Sequence, residues 1–416
     1  MKKYIPVIII SLIFFTHLIG RVNYVYDRLL AQFLYLAIIN SFSVAYILYR
    51  YKLKHIVRYL GQKKIFILYL GYYLFSVLSI LYADNKTESL VVLTQYSNYL
   101  ISFLVIILLI KYERINFKKV FIVLTVITIS LESLVILYQV FDLTIVNGKF
   151  FSRSNQFSGL AANINISAFS LTMKTPVLYY LINAKNLSSK IQKAIIFILP
   201  IVLIPIFLIQ SRGAVLVITL ISLISIGYNL FYHKENSTIN TILLSLVFIF
   251  SFFFSNNVFN SSPYQNTTER IATLTEGTND ESIDERVRFW RHSIDMIKEN
   301  PITGIGIGNW KFKSIMYDSK NIAGYRIPYH AHNDFLQIGS EIGLFGLCLY
   351  LLFLFKTFFN SIYIGIKNKN LLMFTLALII TVYIFDSLIN FPIARPISNI
   401  YLLFTISLFI YKYESQ

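Results

Sequence analysis

Residues 335–358 read FLQIGSEIGLFGLCLYLLFLFKTF, a run in which only Glu341 and Lys356 carry charge. About 20 apolar residues in a helix span the roughly 30 Å hydrocarbon core of a bilayer, so this run predicts a membrane-crossing helix. Similar runs occur at 4–20, 29–49, 65–82, 90–110, 120–142, 165–182, 194–210, 214–232, 241–256, 371–390 and 397–411. The chain is therefore expected to be an all-α polytopic membrane protein with about twelve transmembrane helices. Composition agrees, at 56% hydrophobic and 14% charged residues, against about 45–50% and 25% in soluble domains. Lys2 and Lys3 precede the first run as they would in a signal peptide, but no small-residue cleavage site follows, so a retained helix is expected.

The 416 residues include 37 Lys and Arg against 20 Asp and Glu, a net charge of +17. In a soluble protein such an excess would suggest nucleic acid. Here topology accounts for it. With the N-terminus inside, the inward segments hold nineteen basic residues and the short outward ones seven: Arg21, Arg28, Lys86, Lys149, Arg153, Arg212 and Arg395. The positive-inside rule then places both termini in the cytoplasm, and no nucleic-acid partner is expected. A lone cysteine, Cys348, excludes an intrachain disulfide framework and thiolate metal clusters.

One connection departs from the pattern. Between the ninth and tenth spans lies a polar stretch, 257–334, placed outside by this topology. Unstructured loops of that length are uncommon, so it is expected to be folded and functional. The domain reading is thus spans 1–9 over residues 1–256, a large, partly helical outer loop over 257–334, and spans 10–12 over 335–416. Ser282 and Glu285 fit a capping box that opens a helix from 283 to 299, ended by Asn300-Pro301. Val287, Trp290, Ile294 and Ile297 give that helix an apolar face.

Several groups in and near the loop could carry chemistry. Arg286 and Arg288 sit in the first turns of the helix, where a phosphate would suit their guanidinium forks. Pairing with Asp284, Glu285 or Asp295 is the plainer alternative. Gly304, Gly306 and Gly308 make a poor nucleotide signature and read as a flexible or tightly turned segment. His330 and His332 with Asp334 supply too few ligands to predict a metal, whereas a histidine at the membrane face suits a general base. Arg212, in Ser211-Arg212-Gly213-Ala214, lies near the bilayer surface, where it either snorkels to headgroups or serves a site. Glu132, Lys174, Glu341 and Asp386 fall within or at the ends of spans and predict an internal polar network.

Three of these segments resemble one family. His332-Asn333, nine further residues, then Gly343-Leu344-Phe345-Gly346, with Glu341 just ahead, form HN-x9-GxxG. Arg286 stands four residues before Trp290, followed by Asn300-Pro301 and the alternating glycines, and Ser211-Arg212-Gly213-Ala214 closes a span. Taken in order, they resemble the O-antigen ligase and O-antigen polymerase superfamily of bacterial membrane glycosyltransferases.

The resemblance implies a GT-C-like fold in the bacterial inner membrane, with the active site on the periplasmic face. It implies an undecaprenyl-diphosphate-linked glycan donor and, as acceptor, a sugar of the lipid A core or another glycan, in contact with membrane lipids. The diphosphate is already a good leaving group, so neither metal nor other cofactor is implied. His332 is expected as the general base and Arg212 and Arg286 as catalytic groups on the diphosphate. Arg288, His330, Asn333 and Glu341 are expected as substrate-binding residues. A polymerase of the same superfamily is the nearest alternative, and the small second outward stretch, 143–163, leans toward ligase. A transporter or flippase would predict paired repeats and broken helices in corresponding halves, which the sequence does not display.

Overall fold

The computed structural model describes residues 4–20, 28–113, 115–143, 157–161, 163–184, 187–232, 237–259, 268, 281–319 and 328–413. Regular structure among them is helical throughout. In chain order the helices are α1 (Ile5–Phe14, continued as a 3-10 turn to Leu18), α2 (Arg28–Arg50), α3 (Leu53–Leu60), α4 (Lys64–Leu78, continued as a 3-10 turn to Tyr82) and α5 (Lys86–Tyr112). Next come α6 (Phe117–Phe141), α7 (Ile164–Asn183), α8 (Ser189–Leu208), α9 (Arg212–Tyr232) and α10 (Ser237–Phe259). The last five are α11 (Glu281–Glu299), α12 (Trp310–Asp318), α13 (Asp334–Lys367), α14 (Leu371–Ile389) and α15 (Pro396–Tyr413).

All twelve apolar runs are helical. Among the described residues nine helices are long and apolar enough to cross a membrane: α2, α4, α5, α6, α8, α9, α10, α13 and α14. The chain is a multi-pass all-α membrane protein. The other three runs differ for physical reasons. The first ends at Leu18, and its length of about 21 Å is short of the hydrocarbon core. Helices α7 and α15 are buried over almost their whole length and carry polar side chains inward, among them Lys174 and Asn399.

The chain divides into two compact units, each built from separated stretches. The first comprises Met1–Lys118, Asp280–Asn360 and Ser387–Gln416, the second Lys119–Asn279 and Ser361–Asp386. In the first, aromatic rings fill the interior: Tyr69 meets Phe353 at 4.8 Å between centroids and Tyr72 meets Tyr350 at 5.0 Å. Polar side chains also join α2 to α5, with Asn40 donating to Asn98 Oδ1 at 3.1 Å and Ser102 donating to Asn40 Oδ1 at 3.0 Å. Within the second unit Lys174 Nζ lies 2.7 Å from Glu132 Oε1, and Ser170 donates to Glu132 Oε2 at 2.8 Å. Both charges are almost fully enclosed, so each compensates the desolvation of the other. This pair is part of the polar network expected within the spans; Asp386 is buried as well.

The long polar stretch 257–334 contains α11 and α12. Helix α11 stops at Glu299, before Pro301, as expected. Its inner face differs from the expected one. Phe289, Ser293 and Met296 are buried, whereas Ile294 is 40% exposed. The reason is Trp310, which is fully buried and needs a partner for its indole N–H. Its Nε1 donates to Ser293 Oγ at 2.8 Å, and its ring meets Phe289 edge-on at 5.8 Å. Phe289, Met296, Ile305, Trp310 and Ala331 form one small core. Lys149, Arg153 and the Ser282 side chain lie outside the described residues, and with them the capping box and most of the stretch 143–163.

Candidate functional site

The glycine motifs build the floor of the site. Gly343 sits inside α13 with φ 79° and ψ 174°, so the helix breaks there. The break exposes backbone groups that need partners, and residues 301–306 provide them. Leu344 N donates to Pro301 O at 2.8 Å, Ile305 N to Ser340 O at 2.9 Å, and Gly306 N to Glu341 O at 2.9 Å. Gly304, Gly306 and Gly308 all have positive φ and are buried, so this segment is a tight turn. A Cβ at Gly304 would lie 2.4 Å from the Glu341 backbone, and one at Gly306 would lie 2.4 Å from Ala83 Cβ. The alternating glycines and the GxxG motif are therefore two sides of one junction.

That junction is fastened to the 3-10 turn that ends α4 and to the start of α5. Asn309 donates to Ser89 Oγ at 2.8 Å, Ile307 N donates to Ser79 Oγ at 3.0 Å, and Ser89 returns a bond to Ile307 O at 2.6 Å. Lys311 Nζ pairs with Glu88 at 2.7 Å. Glu341, itself buried, accepts from Trp310 N at 3.2 Å and from Gln337 Nε2 at 3.3 Å. Gln337 also bonds His330 and accepts from Ala331 N at 3.2 Å. Glu341 thus ties the glycine turn to the histidine segment.

His332 occupies the left-handed region, φ 54°, which costs a residue with a Cβ about 1–3 kcal/mol and persists only when its surroundings impose it. Here they do. Trp290 Nε1 donates to His332 O at 3.4 Å. The Asn333 side chain caps α13 by accepting from Leu336 N at 3.0 Å, and its amide donates to Leu388 O at 3.2 Å. Asp334 Oδ2 accepts from Ile393 N at 3.0 Å. The imidazole itself lies between rings, 6.5 Å from Phe289 in a stacked orientation and 5.1 Å from Phe391 edge-on. Its Nδ1 is buried and has no hydrogen-bond partner among the described residues.

Burial first, then the positive charges of Arg286 and Arg395, push the His332 pKa down to about 4. Burial, with Arg395 next, takes His330 down to about 3. Both rings are therefore neutral at physiological pH, and neutral imidazole is the form that accepts a proton.

The structure brings His330, His332, Asn333, Arg286 and Glu341 into the first unit. Arg286 is close enough for its charge to act on His332. Arg288 turns elsewhere: its Nε lies 2.8 Å from Asp318 Oδ1, which joins α11 to α12, and its guanidinium stands 5.5 Å from the centre of the Phe289 ring. Arg212 belongs to the second unit, where it opens α9. Gln210, which immediately precedes the Ser211-Arg212-Gly213-Ala214 segment, has φ 56° and is a second non-glycine residue in left-handed geometry. Among the described residues no three His, Cys, Asp or Glu side chains gather as a metal-ligand set.

Sequence reasoning missed Phe391 and Arg395. Each histidine has Phe391 as a neighbour, at 4.3 Å and nearly parallel for His330. Arg395 was legible only as one charge in a short outward connection. Its sequence signal is a position between Pro392 and Pro396, which fix the backbone on either side.

Residues 195–351 match the family model described as O-Antigen ligase. A "Putative polysaccharide ligase" of Rickettsia conorii is 33% identical over 103 residues, covering 24% of this chain and 25% of that protein. A protein of Rickettsia bellii with the same description is 33% identical over 75 residues, covering 17% of this chain and 18% of its own length. The chain thus aligns with a quarter or less of either relative. The matched segment, 157 of the 416 residues, is similar to that family and contains Arg212, Arg286, His332 and the glycine motifs.

Proposed function

We propose that this protein is a glycosyltransferase of O-antigen ligase type, which moves a glycan from undecaprenyl diphosphate to a sugar hydroxyl of the lipid A core. The reaction would take place at the periplasmic face of a bacterial inner membrane, with both termini in the cytoplasm. The observation that carries this reading is His332: neutral, fixed in left-handed backbone at the membrane-side end of the loop, and next to Arg286.

In this reading His332 accepts the proton of the acceptor hydroxyl, and the oxygen attacks the anomeric carbon. The bond from that carbon to the diphosphate breaks as the new one forms, so the anomeric centre inverts. Negative charge grows on the departing phosphate oxygens, where Arg286 and Arg212 stabilise it. Asn333 holds the base as cap of α13, and Glu341 supports it through Gln337 and His330. These are positioning roles. The test is deletion of the gene. Loss of lipid A attachment with long carrier-linked chains retained supports ligase; accumulation of single repeat units identifies a polymerase instead; unchanged glycans refute both.

Two consequences can be measured on purified protein. Arg286→Lys lowers transfer by about tenfold or more, because a phosphate held bidentately loses its planar partner even when charge is kept. Arg288→Lys leaves transfer within about threefold of wild type and instead loosens the α11–α12 contact, since the pair with buried Asp318 is structural. Equal losses of transfer in the two variants would refute this division of labour.

The pH profile follows from the same electrostatics. In kcat/KM, which reports the free enzyme, the acid limb lies near pH 4 instead of the ordinary histidine value of 6.5. Arg286→Gln removes one cause of the depression and moves the limb upward. A limb that stays put would show that the titrating group is not His332.

A further inference from the structure

We propose that Arg395 is a second phosphate-binding cation of this site, acting with Arg286 on the donor's diphosphate. The proposal rests on the glycosyltransferase reading and adds a residue that the family motifs do not assign.

The first support is placement. Residues 390–395 connect α14 to α15, and the two residues after His332 bind the last turn of α14 and the middle of that connection: Asn333 at Leu388 O and Asp334 at Ile393 N. Ala394 N donates to Phe391 O at 3.2 Å and Arg395 N to Pro392 O at 3.0 Å, which closes the turn. Arg395 O then accepts from Ser398 N and Asn399 N at 3.1 and 2.9 Å, starting α15. The backbone that carries Arg395 is thus built onto the His332 segment.

The second support is the stack. The Arg395 guanidinium lies 4.8 Å from the centre of the Phe391 ring. That ring contacts His330 at 4.3 Å and His332 at 5.1 Å. Arg395 is partly exposed and so reachable by a ligand. A cation–π contact engages the face of a guanidinium, whereas an oxyanion engages its N–H edge, so the two are compatible.

The third support is charge. Arg286 and Arg395 both act on His332, and Lys311 with Arg395 acts on His330. Arginine stays protonated throughout the working range, so neither cation can relieve the repulsion by losing a proton. Two fixed positive charges beside two neutral imidazoles suit a dianionic or trianionic group. Their planar forks can each engage two oxygens of a phosphate group.

The experiment uses the whole protein purified in detergent and inorganic pyrophosphate as probe, with binding followed by calorimetry. Wild type binds, and Arg395→Gln and Arg286→Gln each weaken binding by about ten- to hundredfold, the loss of charged hydrogen bonds. Arg395→Lys gives an intermediate loss, and Lys298→Gln, on an exposed face, gives none. Folding of Arg395→Gln is checked by diethyl pyrocarbonate labelling of His332, resolved by mass spectrometry across pH. In a folded variant the titration midpoint of His332 rises, because one cation is gone; if the variant is unfolded, Arg395→Lys carries the comparison. Pyrophosphate affinity unchanged in Arg395→Gln, or absent in wild type, overturns the proposal. A wild type that binds pyrophosphate in this pattern yet transfers no glycan refutes the glycosyltransferase reading and leaves Arg395 as an anion ligand. Normal transfer by Arg395→Gln does the reverse.

Discussion

His332→Ala lowers glycan transfer by about 10²–10⁴-fold, the usual range for a lost general base, with the protein still inserted and folded. Alanine also has to adopt φ 54°, so part of any loss could arise from the backbone. His332→Asn separates the two effects. Asparagine enters the left-handed region readily, which preserves the Trp290 contact to the carbonyl and the cap at Asn333, yet it cannot take up a proton. Both variants are expected to fail in transfer, with the His332→Asn protein more resistant to thermal unfolding than the His332→Ala protein. Transfer at the wild-type rate by stably expressed His332→Asn would remove the histidine from the mechanism. Arg212→Ala in the same assay tests the other motif arginine, where loss of stabilisation on the leaving diphosphate is expected to cost about 10²–10³-fold.

Much of this architecture was legible in the chain because membrane helices announce themselves by length and apolarity. Those signals are local, and so are the stops, such as Pro301 after α11. Partnerships are not local. Lys174 and Glu132 were recognisable as charges within apolar helices, but their mutual contact depends on packing between α6 and α7. The buried face of α11 was misread for the same reason: a helical wheel ranks Ile294 as apolar but cannot register Trp310, whose N–H requires Ser293. Arg395 carried no chemical signal of its own. Only the bonds from Asn333 and Asp334 across to 388–393 bring it beside the histidines. The motif residues, by contrast, stood out by their chemistry, their roles came from the resemblance alone, and the structure supplies their physical context, with Arg288 turned toward Asp318.

The largest structural effect is expected at Gly343. An alanine there meets two obstacles. With φ 79° and ψ 174° the backbone is in a region that is essentially glycine-only, worth about 1–3 kcal/mol. Its Cβ would lie 2.1 Å from Ile302 O and 2.6 Å from Ile302 C, and this neighbour is backbone, unable to rotate away. Relief would require residues 301–306 to withdraw, breaking the bonds from Leu344 N to Pro301 O and from Gly306 N to Glu341 O. That movement would release the glycine turn, the Trp310 N contact to Glu341 and the support of the His330 segment together. Gly343→Ala is therefore expected to reduce folded protein severely and to lose transfer in whatever remains. Gly71→Ala is the matched control on α4. Its Cβ would meet only the Leu349 side chain, Cδ1 at 3.3 Å and Cδ2 at 3.7 Å, the end of a flexible side chain, and alanine is favoured over glycine within a helix by about 1 kcal/mol. Thermal unfolding in detergent should show Gly343→Ala far below wild type and Gly71→Ala close to it. Comparable stability for the two variants would mean that the break in α13 is not held by the glycine turn, and the coupling from turn to histidine would fall with it.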